Sequence, residues 1–139
     1  MIAYLQNTLS LFKGESMGVQ CAVGDKPKLI FACSGAADVG ELSDKAARML
    51  HREGVGKMYC LTGVGAQLNN FVETTKTAPK RLVIDGCPMD CAKKSMENSG
   101  ITEFDYIRIT DLGFQKGKSE ITNQAIETIA EKGREFLKN

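Results

Sequence analysis

The sequence predicts a three-layer α/β sandwich around a four-stranded parallel sheet, and two observations carry that reading. One unit recurs three times, as "KLIFACSGAADVG" at residues 28–40, "KMYCLTGVGAQL" at 57–68 and "RLVIDGCPMDCA" at 81–92. Each copy has a basic residue, a short apolar run, a cysteine close to glycine, and then helix-like sequence. The apolar runs are continuous rather than alternating, as in a parallel strand covered on both faces. Strands that alternate with helices imply right-handed crossovers with helices on both sides of the sheet. The simplest strand order is 2-1-3-4, as in flavodoxin-like and Rossmann-like sheets.

The elements follow in order. After the first strand, Leu42, Ala46, Met49 and Leu50 share one face of a helix over residues 39–53. Asp38 is placed to cap it, with Glu41 three residues later, and Gly54 ends it. A second helix is expected over residues 66–75, carrying Leu68, Phe71 and Val72, with Pro79 barring its continuation. A third is expected from Pro88, whose missing N–H costs nothing in a first turn, to Asn98, with Gly100 beyond it. "FDYIRI", residues 104–109, reads as the fourth strand. Ile121, Ala125, Ile126, Ile129, Ala130, Phe136 and Leu137 form the apolar stripe of a last helix.

Composition narrows the function classes. A chain of 139 residues suits one domain with a core of its own, expected here over residues 21–139 behind an extension at 1–20. The net charge of +1 argues against a nucleic-acid footprint or an acidic-lipid anchor. With no Trp and few aromatics, a base-stacking platform is not expected either. No 18-residue apolar run predicts a membrane span. "MIAYLQNTLSLF" lacks the basic start and small-residue cleavage site of a signal peptide, and Ile2, Leu5, Leu9 and Phe12 fall at helical spacing, so a short amphipathic helix is expected there. Met17 offers an alternative start, which would make residues 1–16 an appendage. Five cysteines are an odd number for a disulfide framework, so the thiols read as reduced and the compartment as cytoplasmic. A monomer or a homodimer is equally compatible with the sequence, which names no small-molecule or protein partner.

The cysteines carry the chemistry. In an open parallel sheet, sites form beyond the carboxyl ends of the strands near the switch point. Cys33 ends strand one, Cys60 ends strand two and Cys87 lies just past strand three, at successive intervals of 27 residues. One β-α unit separates each pair, so the three thiols return to one edge. Cys91, four residues after Cys87, would lie one helical turn on. Neighbouring strands are roughly 4.8 Å apart, and a tetrahedral zinc held by thiolates at roughly 2.3 Å needs such convergence. Gly35, Gly63, Gly65 and Gly86 let the backbone crowd the thiols. Helix N-termini in general favour a thiolate over a thiol. Each cysteine taken singly is more readily a small packing residue; Cys21, before the first strand, reads as a free thiol outside the set.

These motifs resemble the DGC domain family, named for a central Asp-Gly-Cys and described as zinc-binding. Asp85-Gly86-Cys87, extended as "DGCPMDCA", matches that motif, and "CSGAADVG" at Cys33, "CLTGVGA" at Cys60 and "ITDLG" at residues 109–113 resemble its other blocks. The resemblance spans about residues 28–114. It implies four chelating cysteines, carried over as Cys33, Cys60, Cys87 and Cys91. It implies no settled reaction, so no catalytic residue is assigned and enzymatic activity stays open.

The favoured expectation is thus a zinc site of three or four thiolates, with Asp85, Gly86, Gly35 and Gly63 around it. A closed Cys₄ site would be structural or carry zinc, whereas an open Cys₃ site would activate water or accept a thiol. Thiol-redox or sulfur-transfer chemistry is the alternative, although CxxxC is not the thioredoxin spacing, and an iron–sulfur cluster would use the same Cys₄ set. A thiol phosphatase needs Cys-x₅-Arg, and the residues six after Cys33, Cys60 and Cys87 are Val39, Ala66 and Lys93, which excludes it. "GVGAQL" at residues 63–68 is a bare GxG, better read as a tight turn than as a nucleotide loop. His51, near a helix end, Lys93 and Lys94 read as solvated; Met49, Met58, Met89 and Met96 read as filler; Asp38 and Asp90 read as caps or solvated groups. Asp85 is placed to accept from loop amides or to bond a ligand.

Overall fold

The computed structural model describes residues 26–138. Cys21 and the helix expected near the N-terminus lie outside the described residues. Four parallel strands, β1 (Leu29–Ala32), β2 (Lys57–Met58), β3 (Arg81–Asp85) and β4 (Asp105–Arg108), pair in the order β2-β1-β3-β4. The helices are α1 (Asp38–Arg52), α2 (Leu61–Gly65), α3 (Asn69–Lys76), α4 (Cys91–Asn98) and α5 (Asn123–Leu137), and a 3₁₀ turn (Ile109–Leu112) follows β4. No helix among the described residues is long and apolar enough to cross a membrane.

Successive strand residues point to opposite faces, and both faces are buried. Ile30, Ala32, Leu82, Ile84, Ile107 and Ile109 pack with Val39, Leu42, Leu50, Ile126 and Ile129 of α1 and α5. Leu29, Phe31 and Val83 pack on the other side with Val64 of α2 and Ala92 and Met96 of α4. This two-sided demand is why the strands read as unbroken apolar runs.

Three local expectations are corrected. The helix expected over residues 66–75 starts only at Asn69, as α3, and a separate short helix, α2, precedes it, because Gln67 takes a left-handed backbone (φ 56°) and turns the chain between them. The third helix begins at Cys91 rather than Pro88, because residues 87–90 close a turn in which the Asp90 N–H donates to the Cys87 carbonyl at 3.1 Å. Cys91 is therefore not one helical turn along from Cys87. Asp38 does not cap α1, whose N-cap is Ala37 with no side-chain capping bond. Its carboxylate accepts instead from the Gly117 and Ser119 N–H groups, both at 2.8 Å, across some eighty residues of sequence. Gly54 does end α1, with the positive φ (74°) that favours glycine.

Candidate functional site

The carboxyl edge of the sheet is built from the β1–α1, β2–α2 and β3–α4 loops together with the segment after β4. Asp85, the last residue of β3, is 1% exposed. Its two oxygens accept from the Ala92 and Lys93 N–H groups at 2.8 and 2.9 Å. It thus satisfies two of the unpaired amides at the start of α4, from a position six residues before that helix begins. Gly86 passes so close to α1 that an added Cβ would lie 2.8 Å from the Val39 carbonyl carbon. At Gly40 it would lie 2.4 Å from the Gly35 carbonyl oxygen. In the Asp-Gly-Cys motif, then, the acid fixes α4 and the glycine lets the loop rest on α1. Gly63 has a similar duty toward Phe71, whose ring would meet its Cβ at 2.6 Å.

All four thiols at this edge are free. Cys33, half-buried, lies 3.3 Å from the buried Ser43 hydroxyl, which itself donates to the Gly40 carbonyl. Cys60 is the N-cap of α2, and its sulfur accepts from the Gly63 N–H at 3.4 Å. Cys87, half-buried, accepts from the Lys116 ammonium at 3.8 Å. Lys116 sits in a loop in which the Ser119 hydroxyl bonds the Gln115 backbone, and Asp38 ties that loop to α1. Those backbone donors, Gly117 first, hold the Asp38 carboxyl below its usual range. Cys91 opens α4 and is exposed.

The thiols share an edge but not a face. Cys33, like Tyr59 and Leu61, packs against the α2–α4 side of the core, whereas Cys87 packs against the α1–α5 side. No three Cys, His, Asp or Glu groups among the described residues are gathered closely enough to hold a metal ion together. The donor chemistry nevertheless suits a soft divalent ion, since four uncrosslinked sulfurs border one sheet edge.

A polar network beside Cys91 had no signal in the local sequence. Arg108 of β4 makes a forked pair with Asp90, Nε to Oδ1 at 2.9 Å and Nη2 to Oδ2 at 2.8 Å, and reaches Asp111 at 3.2 Å. Tyr106 Oη lies 2.8 Å from Asp90 Oδ1 and 3.2 Å from Asp85 Oδ2, and its single proton goes to the nearer oxygen. Hydrogen bonding from Arg108, ahead of that from Tyr106, holds the Asp90 carboxyl below its usual range. Burial first, and the bond to Asp90 next, push the Tyr106 phenol up, so it remains a donor at neutral pH. Lys93 lies over the Tyr106 ring at 5.4 Å rather than free in solvent. Asp90 itself is neither a side-chain cap nor a solvated group. The alternation of "FDYIRI" does place Tyr106 and Arg108 on one face; it does not reveal that Asp90 is their partner.

His51, by contrast, is exposed at the far end of α1, as expected, where Nδ1 accepts from the Met58 N–H at 3.4 Å. Met96 is core on the α2–α4 side and Met58 is half-buried on the α1–α5 side, while Met89, between Cys87 and Cys91 in the chain, is 61% exposed.

Fold and edge together define the class: a doubly covered parallel α/β protein whose strand-end loops carry free thiols. The DGC domain family profile matches residues 29–132, and the chain belongs to that family. It is similar to the anaerobic and virulence modulator AnvM of Pseudomonas aeruginosa, with 28% identity over 96 residues, 69% of this chain and 73% of that protein. No solved structure matches.

Proposed function

We propose that the chain is a metal-binding protein whose carboxyl edge takes a soft divalent ion, zinc in the first instance, through Cys33, Cys60, Cys87 and Cys91. The observation that carries the reading is the return of four free thiols to one edge by way of three separate β–α loops. The core is extensive on both faces of the sheet, so a metal here has no folding task to perform, unlike the ion of a zinc finger. Bound zinc would act as a Lewis acid or hold a thiol ligand. The chain's own part is to present the sulfurs, with Asp85 fixing the helix that begins at Cys91 and Gly86 seating the loop that carries Cys87. A cytoplasmic setting accords with the reduced thiols. The relative's name, an anaerobic and virulence modulator, accords with a site that responds to metal or redox conditions.

A second reading, thiol-redox or sulfur-transfer chemistry, is favoured by Cys87 alone, a half-buried free thiol with the Lys116 ammonium 3.8 Å from its sulfur. One experiment separates the two: elemental analysis with a parallel thiol count, on protein purified in air and again anaerobically. Near-stoichiometric zinc with protected thiols, reduced in Cys33→Ser and Cys87→Ser, is the expected result. Full occupancy in both variants would sink the four-thiolate reading. Absent zinc with thiols lost in air favours the redox reading, and iron with sulfide seen only anaerobically favours a cluster.

A further inference from the structure

Asp90 is the residue immediately before Cys91, and its backbone is left-handed, φ 54° and ψ 41°. An L-residue with a Cβ adopts that conformation only against steric resistance. Asp tolerates it better than most such residues, and here side chains from outside the loop hold it there. Both Asp90 oxygens are taken by the Arg108 fork, and Oδ1 also accepts from Tyr106. The two donors project from β4, the strand beside β3, so the clamp is anchored in the sheet and not in the loop it controls. The Asp90 carbonyl then accepts the Lys94 N–H at 2.8 Å, closing the first turn of α4. Direction of chain at Asp90 sets where Cys91 leaves that turn.

We propose that Arg108 and Tyr106 are positioning residues for Cys91: by clamping the Asp90 carboxylate they keep its backbone left-handed and so aim the Cys91 thiol at the carboxyl edge. The inference rests on the metal-site reading above and deepens it, since it says which thiol is aimed in advance and by what. Arg108 acts through Asp90 conformation, not through its charge on the metal.

Two substitutions at position 90 separate conformation from charge. Asp90→Gly removes the carboxylate but enters the left-handed region freely. Asp90→Ala removes the same carboxylate and resists that region. Zinc affinity is measured by competition with a chromophoric chelator. Protection of each cysteine by zinc against a maleimide is read by peptide mass spectrometry. The expected result is zinc binding about tenfold weaker in Asp90→Ala and Arg108→Ala, the scale seen when groups orienting a metal ligand are lost, with protection lost first at Cys91. Asp90→Gly stays within about twofold of wild type. Equal affinities in Asp90→Ala and Asp90→Gly, whether both weak or both normal, overturn the proposal. So does unchanged Cys91 protection in Arg108→Ala.

If the wild-type chain takes up no zinc, the metal reading fails, and the positioning inference is decided on metal-free protein by hydrogen exchange. The Ala92 and Lys93 amides should then exchange about tenfold faster in Asp90→Ala than in Asp90→Gly; equal rates overturn it.

Discussion

Replacing Asp85 with alanine should unfasten α4 from the sheet. The carboxylate is almost fully buried and receives two helix amides at 2.8 and 2.9 Å. Loss of an ordinary helix cap costs about 0.5–2 kcal/mol. Buried hydrogen bonds to a charged acceptor contribute about 1.5–3 kcal/mol each. The amides lie at a helix start, where water entering the vacated space recovers part of the loss, so a net cost of about 3 kcal/mol is expected. For a domain of this size, about 3–4 °C of melting temperature accompanies each kcal/mol, giving a fall of about 10 °C. Thermal melting followed by circular dichroism reads the total. Hydrogen exchange reads the cause, since Ala92 and Lys93 should lose protection before the amides of β1. Asp85→Asn should lie between, because one amide keeps an oxygen acceptor while the other faces an NH₂ group. A melting shift under 3 °C in Asp85→Ala, or uniform loss of protection, would refute the capping argument.

Other consequences concern neighbouring groups. Gly86→Ala should destabilise by about 2–3 kcal/mol, as overpacking does, because its Cβ would meet α1 backbone at 2.8 Å and not a yielding side chain; urea unfolding checks this. The acid limb of the stability curve should flatten in Asp90→Asn. The Asp90 carboxyl is held below its unfolded value by Arg108, so its contribution is complete above the ordinary carboxylate range near pH 4 and is lost as pH falls through the lower folded value. Melting curves between pH 6 and pH 2 that stay parallel for the two proteins would contradict it. Asp38→Ala should leave α1 intact, since Asp38 caps nothing there, while the Gly117 and Ser119 amides lose exchange protection. Fraying of α1 with an unaltered 115–119 loop would reverse that assignment.

The strand order, the two-sided cover of the sheet and the return of Cys33, Cys60 and Cys87 to one edge were all determined by the sequence alone. Each follows from a repeated local pattern: an apolar run too continuous for a one-sided strand, a cysteine at its end, then an amphipathic helix. Such patterns report burial and period, which neighbouring residues set. What only the tertiary structure decided is which polar groups meet. Asp38 looked like a cap because a cap is the local use of that residue, but two amides of a distant loop compete for it and win. Arg108 and Asp90 lie 18 residues apart, on β4 and in the loop after β3, and only adjacency of those strands joins them. The division of Cys33 and Cys87 between the two faces likewise depends on how each loop leaves its strand. Spacing places a thiol at an edge; the backbone turn beside it, fixed by contacts remote in the chain, decides where the sulfur points.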